Sequence, residues 1–428
     1  MLAPYWRLVR DNRNFRRLWL AQVVSELGDW FYALSIYNLL LELTGRSTLV
    51  GLALVLQVLP QTLIAPTAGV LNDRLRRKHV MIAADLVRVA VMLGMLLVRA
   101  RSMVWLVFPL LFLESSMAAF FEPARSSVIP NITKESDLLR ANTLASATWC
   151  MNLALGAFFG GVAGAVLGRD AVFLLNAISF LASAVLIRSM RFEEPHMEGA
   201  PPFRAPELVD FSPMLEGLRY IRDNKRLLPT VFVKCGIGLS GANNVILPIM
   251  GTQIFPVHWG GLPPDRGAFL GMSLLVAARG VGALFGPIAG GAWAGERTDR
   301  LRGGILIGFL LTAAGYMSLG WAPSIGVAIA CVIVANFGGS TNWVFSTTLL
   351  QASTEDRFRG RVFAAEIGLL TLTIAITGYA AGVANDLGVP VRVLAIASGM
   401  LALLPAVAWI VAMRHTSDLR EQTDKLAQ

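Results

Sequence analysis

Several ionisable side chains stand inside long apolar stretches of this sequence, among them Glu26, Asp29, Glu114, Lys234 and Arg279. A charge in apolar surroundings needs a partner, water or a function. Desolvation favours the neutral form of a carboxyl group, so Asp29 and Glu114 are candidates for proton exchange. The alternative is a static ion pair, in which one of these acids bonds to Lys234 or Arg279. Both interpretations depend on where the chain places these residues.

The elements that carry them are long apolar segments. The 428 residues are 55% hydrophobic and only 15% charged, with a mean hydropathy of +0.60, a composition typical of a polytopic membrane protein. About 20 apolar residues cross a bilayer as a helix. Windows of that length predict twelve spans, at 17–43, 49–71, 79–98, 103–121, 142–167, 171–189, 227–254, 267–294, 303–321, 324–350, 360–384 and 389–413.

Lysine and arginine are distributed unequally between the two sets of connecting loops. Of the 37 bases, 28 lie in the N-terminal arm, the even-numbered loops and the C-terminal tail, six lie in the odd-numbered loops, and three lie within spans. Cytosolic loops carry the excess of lysine and arginine. The imbalance therefore predicts that both termini are cytosolic.

Several other functions are not indicated by the sequence. The net charge of +9 is scattered over short loops and forms no nucleic-acid-binding patch. The three cysteines and four histidines lack the spacing of metal ligands, and no GxxxxGK[ST] phosphate loop is found. We therefore expect no metal, no cofactor, no nucleic-acid partner and no enzymatic activity.

The chain divides into two halves of six spans. A long polar segment, 190–226, separates them and becomes amphipathic near its end. IAPTAGVLNDR (64–74) in the first half is echoed by FGPIAGGAWAGER (285–297) in the second. Such repeats are typical of secondary transporters with a site between the halves. The predicted organisation is an arm, a six-helix bundle, a linker with an amphipathic helix, a second bundle and a tail, at 1–16, 17–189, 190–226, 227–413 and 414–428.

The charged loop GVLNDRLRRK (69–78) resembles the signature loop of the major facilitator superfamily, although Arg76 stands where a second glycine is usual. Four further segments are similar to the branch that contains macrolide-efflux and enterobactin-exporter proteins. They are NRNFRRLWLAQVVSELGDW (12–30), AADLVR (83–88), FFEPARSSVIP (120–130) and LLRAN (138–142). The resemblance implies an all-α membrane protein of twelve transmembrane helices in two six-helix bundles, monomeric and located in the bacterial inner membrane.

The resemblance also implies a gate on the cytosolic side. Asp73 would cap or pair with the neighbouring bundle, while Arg74 and Arg77 would bridge to acids such as Asp85. Charge-assisted hydrogen bonds of this kind can hold one side shut until a bundle rotates. Gly69 and Glu366 complete the predicted gate. The alternative is a basic loop that only sets topology, and the i,i+3 spacing of Asp85 and Arg88 favours a structural pair within one helix.

In the superfamily fold, helices one, four, seven and ten line a central cavity. The side chains that this arrangement could direct into it are Asp29, Glu114, Lys234, Asn243, Asn244, Asn336 and Asn342. Glu26 lies one turn from Asp29, and Arg279 lies in the eighth span. The predicted function is secondary active export of amphipathic organic molecules, such as drug-like compounds or siderophores, by alternating access and proton antiport. Uniport and lipid or lysophospholipid transport within the same fold are the alternatives.

Overall fold

A computed structural model describes residues 3–197, 211–224, 226–258, 261, 263–295 and 297–426. These residues form no strand. Their α-helices, numbered α1 to α16 in chain order, are Ala3–Asp11, Arg13–Thr44, Ser47–Arg74, Arg77–Met95, Val107–Ile132, Glu135–Leu167, Arg169–Arg188, Ser212–Asp223, Leu228–Leu239, Asn243–Gln253, Pro264–Ala294, Thr298–Gly320, Ile325–Ser353, Asp356–Asp386, Val391–Leu401 and Leu403–Leu426.

Ten helical stretches within the described residues are long and apolar enough to cross a bilayer. The sequence predicts twelve. The two predicted spans outside the ten correspond to α2 and α4, which are 32 and 19 residues long. These two helices carry Glu26, Asp29, Asp85 and Arg88, and such residues interrupt an apolar run. The all-α membrane fold is confirmed, and the count of twelve stays a prediction.

One compact unit comprises Met1–Phe211 and Leu247–Gly280. In this unit α2 packs on α6 and α7, α3 packs on α5, and α4 packs on α5 and α7. Gly28 of α2 faces Asn176 and Ser179 of α7 so closely that an added Cβ would overlap both side chains. Small residues allow transmembrane helices to approach in this way. The contact fixes α2, and with it Asp29, against α7.

A second compact unit comprises Ser212–Ile246 and Val281–Gln428. Here α12 packs on α13 and α15, while α14 packs on α8 and α9. Helix α8 lies in the segment for which the sequence predicts an amphipathic helix, and its Tyr220 stacks on Phe358 with ring centroids 4.2 Å apart. The predicted domain boundaries stay a prediction.

The predicted span 227–254 is interrupted near its middle. Helix α9 ends at Leu239, a 3₁₀ turn occupies Ser240–Ala242, and α10 begins at Asn243. Backbone carbonyl groups released by such a break need donors inside a membrane. Asn243 Nδ2 donates to the Ser240 carbonyl (3.1 Å), and Asn244 Nδ2 donates to the Gly241 carbonyl (2.9 Å). The two asparagines therefore compensate the break locally.

Candidate functional site: a buried charge cluster around Arg88

Three helices of the first unit bring three carboxylates to one guanidinium. Arg88 of α4 lies 3.4 Å from Glu114 of α5, 3.7 Å from Asp85 of its own helix and 3.8 Å from Asp29 of α2, measured between the nearest nitrogen and oxygen atoms. We call these four residues the Arg88 cluster. The structure thus brings together Asp29 and Glu114, the two acids that the sequence favours for proton exchange.

Two aromatic rings lie beside the arginine. The Arg88 guanidinium carbon lies 4.7 Å from the centre of the Phe180 ring and 5.7 Å from that of Phe121. Cation–π attraction of this kind is stronger when the cation is desolvated. Only 5% of the Arg88 side chain is exposed, against 31% for Asp29. Asp29 is therefore the most accessible acid in the cluster.

The cluster is loosely bonded and carries an excess of acids. Its three ion-pair distances exceed the usual range for hydrogen bonds. Asp29 Oδ1, both Asp85 carboxylate oxygens and Arg88 Nε are buried and make no hydrogen bond with the described part of the chain. One guanidinium balances one carboxylate, so full ionisation would leave two negative charges uncompensated in an apolar environment. Such charges are unfavourable, and bound protons would remove them.

A hydrogen-bonded network surrounds Glu26, one turn before Asp29. Glu26 accepts from Gln22 Nε2 (2.8 Å) and from Asn152 Nδ2 of α6 (3.1 Å). Arg125 of α5 donates to Gln22 Oε1 (2.8 Å) and to Glu122 (2.7 Å). Both Glu26 oxygens therefore have partners, which distinguishes Glu26 from the acids of the Arg88 cluster.

The second unit contains a buried ion pair of a different kind. Lys234 Nζ of α9 donates to Glu366 Oε2 of α14 at 2.7 Å, and the two side chains are 2% and 0% exposed. The ammonium also lies 4.6 Å from the centre of the Trp343 ring and 5.3 Å from that of Phe363. One base and one acid balance each other here.

The four predicted cavity asparagines bond to the backbone or to neighbouring helices. In addition to its bond to the Ser240 carbonyl, Asn243 Nδ2 donates to Ser398 Oγ of α15 (2.6 Å). Asn336 of α13 donates to the Tyr316 hydroxyl of α12 (3.1 Å). Asn342 is fully buried, and one orientation of its amide bonds to two backbone groups of α12, Ile305 O (2.9 Å) and Phe309 N (3.1 Å). Their role in a cavity stays a prediction.

The loop between α3 and α4 is bonded to α5. Arg77 donates to the Asn72 carbonyl (3.3 Å) and to the Ser127 carbonyl (3.2 Å), and Asn72 Nδ2 donates to the Phe120 carbonyl (3.2 Å). Asp85 lies in the Arg88 cluster rather than at the loop. The side chain of Asp73 lies outside the described part of the structure.

The remaining predicted gate and cavity residues are dispersed. Gly69 and Arg74 are half-buried near the end of α3, and an added Cβ at Gly69 would meet nothing within 4 Å. Glu366 lies in the pair with Lys234. Arg279 lies on α11 of the first unit, outside the Arg88 cluster.

Arg88 is the residue whose role the sequence interpretation missed. The spacing of Asp85 and Arg88 predicts their pairing within α4, which the structure shows. It gives no indication that Asp29 and Glu114 share the same arginine. The available signal was that Asp29, Glu114 and the pair of Asp85 with Arg88 all lie within apolar runs, on α2, α5 and α4. No cluster of three or more His, Cys, Asp or Glu side chains in the described residues has the arrangement of a metal site.

Comparison of the sequence with profiles of known protein families identifies the family of this chain. Residues 18–262, more than half of the chain, match the profile of the Major Facilitator Superfamily. The chain belongs to this superfamily. The resemblance drawn from the charged loop 69–78 is thereby confirmed, and the family is one of transporters.

Two relatives of this superfamily member are exporters by name. Macrolide efflux protein A of Streptococcus pyogenes is 24% identical over 383 residues, which cover 87% of this chain and 88% of that protein. The putative bacilysin exporter BacE of Bacillus amyloliquefaciens is 24% identical over 315 residues, which cover 73% of this chain and 74% of that protein. The chain is thus an integral membrane transporter with efflux-type relatives.

Solved structures support the fold. A mutant of the nucleoside transporter NupG superimposes with a TM-score of 0.74 at 10% identity, over 93% of this chain and 99% of that chain. At this identity the likeness concerns the fold alone.

Proposed function

We propose that this transporter exports amphipathic organic molecules in exchange for protons, and that the Arg88 cluster carries the exchanged proton. The observation that supports the proposal is the imbalance of three carboxylates around one guanidinium. The similarity to macrolide efflux protein A supports export as the direction and amphipathic molecules as the substrate class.

The proposed coupling follows from competition for Arg88. When Asp29 or Glu114 loses a proton, its new charge is drawn towards the guanidinium, which strengthens the bond between α4 and α2 or α5. When it is protonated, that attraction weakens. A proton therefore changes which helices are held together, as alternating access requires. Asp29 is the most exposed of the three acids and is the proposed point of exchange with water.

The charged loop 69–78 is the proposed gate of the same transporter. Its support is that Arg77 joins the end of α3 to α5 through two carbonyl groups. Glu114 also lies on α5. A change of charge at Glu114 could thus reach the loop along one helix.

Proteoliposomes with an imposed pH gradient test the proposal. The purified chain is reconstituted, and uptake of Hoechst 33342 and of radiolabelled erythromycin is measured with and without the gradient. We expect the gradient to accelerate uptake of at least one probe. Asp29→Asn and Glu114→Gln should each reduce the accelerated component about 100-fold or more, the lower end of the typical contribution of a proton-transfer group. Asp170→Asn, which changes an acid of a surface pair with Arg99, is the matched control and should leave it unchanged.

Two outcomes would contradict the proposal. Equal uptake rates with and without the gradient, together with full activity of both acid variants, would rule out proton antiport. Movement of a fluorescent lysophospholipid in the same vesicles, with no movement of either drug probe, would instead favour the lipid-transport alternative.

A further inference from the structure

A large basic cavity lies at the N-terminal end of the first unit, apart from the Arg88 cluster. It has a volume of about 1200 Å³, and its lining includes seven arginine and lysine residues but only two aspartates. The N-terminal helix α1, the beginning of α2, the beginning of α6 and the end of α7 contribute to it. A concave surface with an excess of positive charge attracts anions.

Most of these bases have no acidic partner among the residues that the structure describes. Arg140 pairs with Asp137, and Arg17 donates to the Ser189 carbonyl at 2.5 Å. Within the described residues, the other five make no side-chain hydrogen bond and no ion pair; they are Arg7, Arg13, Lys134, Arg188 and Arg191. Five guanidinium and ammonium groups are thus available to a ligand. Arginine in particular binds phosphate oxygens in a bidentate manner.

Two asparagines help to hold the backbone around the cavity in place. Asn12 Nδ2 donates to the Ile132 carbonyl at 2.6 Å. Asn14 exchanges two hydrogen bonds with the backbone of Arg191, at 2.6 and 3.2 Å. Leu8 and Val9 anchor α1 in an apolar core. The cavity wall is therefore built before any ligand binds, which lowers the entropic cost of binding.

Two further features fit a ligand with phosphate groups. The N-terminus of α2 lies at the cavity with Asn12 as its N-cap, and the helix dipole favours negative charge there. Trp6, next to Arg7 on α1, is 64% exposed. Tryptophan prefers the depth of the lipid headgroups, and basic pockets between membrane helices bind anionic lipid headgroups.

We propose that this cavity is a binding site for a phosphate-bearing anion, with the headgroup of an anionic phospholipid as its first candidate. The unpaired bases Arg7, Arg13 and Arg188 would hold the phosphate oxygens. A soluble phosphorylated compound presents the same chemistry to these side chains. The site is independent of the proton-exchange proposal, because it shares no residue with the Arg88 cluster.

Binding to the full-length chain in detergent tests this site. Affinities are measured by thermophoresis for three probes, dioctanoyl-phosphatidylglycerol, dioctanoyl-phosphatidylcholine and inorganic pyrophosphate. We expect saturable binding of the phosphatidylglycerol that exceeds binding of the zwitterionic lipid at least tenfold. One base near a membrane surface contributes about fivefold in affinity. The triple variant Arg7→Gln/Arg13→Gln/Arg188→Gln should therefore weaken binding about 100-fold.

A control variant removes the same charge elsewhere. Arg76→Gln/Arg222→Gln/Arg297→Gln changes three arginines outside the cavity lining and should keep the affinity within twofold. Saturable binding of pyrophosphate, lost in the cavity variant but not in the control, would support the site and identify a soluble ligand as its source. Equal losses in the two triple variants, or no preference for phosphatidylglycerol and no pyrophosphate binding, would overturn the proposal. Should the triple variant fail to fold, Arg13→Gln alone should still weaken binding about fivefold.

Discussion

The Arg88 cluster and the pair of Lys234 with Glu366 show two ways in which one chain buries charge. In the second unit, one base meets one acid at 2.7 Å, and almost no water reaches either side chain. In the first unit, one base is shared by three acids at 3.4 to 3.8 Å, and Asp29 keeps 31% of its side chain exposed. A balanced, dry pair is suited to holding two helices together. An unbalanced, partly accessible cluster is suited to gaining and losing protons.

The largest effect is expected from breaking the balanced pair. Glu366→Gln leaves the Lys234 ammonium buried without its counter-ion, and loss of one partner of a buried pair costs about 3–5 kcal/mol of stability. Thermal unfolding in detergent micelles should show this loss as a lower unfolding midpoint. Lys234→Met/Glu366→Met removes both charges and should recover most of the stability. Equal stability of the single and double variants would contradict a balanced pair.

Removal of Arg88 should have a smaller effect, and this effect should depend on pH. Arg88→Gln leaves three carboxylates without a cation, and we expect a loss of about 2–3 kcal/mol near neutral pH, below the range for a fully balanced buried pair. Protonation removes the repulsion among the acids, so the loss should shrink as the pH falls. Unfolding midpoints at several pH values measure this trend. If the loss of stability instead increased on acidification, the cluster would not contain an excess of acids.

A third substitution compares two acids directly. Asp85→Asn makes the same chemical change as Glu366→Gln, but the Asp85 oxygens make no hydrogen bond with the described residues and belong to the group in excess. We expect stability to change by less than about 1 kcal/mol, because lost attraction to Arg88 is offset by reduced repulsion between acids. A loss as large as that of Glu366→Gln would remove the distinction between the two sites.

The smallest effect is expected at the surface and gives the baseline for the others. Arg99 and Asp170 approach to 2.7 Å, but their side chains are 63% and 41% exposed. Exposed ion pairs contribute about 0–1 kcal/mol. Arg99→Gln should therefore shift the unfolding midpoint by less than any of the three buried substitutions. A larger shift would indicate that distance rather than burial decides the effect.

Much of the fold could be predicted from the sequence because its main signal is local. Runs of about 20 apolar residues specify spanning helices regardless of their neighbours, and each predicted span overlaps a helix of the structure. The break at Ser240–Ala242 was not predicted, because its small residues differ little in polarity from the surrounding apolar run. The asparagines that follow can bond to the released carbonyl groups only once the turn has formed.

The partners of the buried charges could not be predicted in the same way. Lys234 and Glu366 are 132 residues apart, so nothing local connects them. The i,i+3 rule correctly pairs Arg88 with Asp85, but the acids on α2 and α5 are placed by helix packing. The sequence thus identifies which residues are ionisable inside apolar runs. Which of these residues pair with one another is decided by tertiary structure.

The interruption between α9 and α10 has a mechanical consequence. A continuous helix has one direction along its whole length, whereas an interrupted helix has two segments that can be held by different neighbours. Lys234 lies on the α9 side of the break and is bonded to Glu366 of α14. Asn243 lies on the α10 side and is bonded to Ser398 of α15, so the two segments are anchored to different helices.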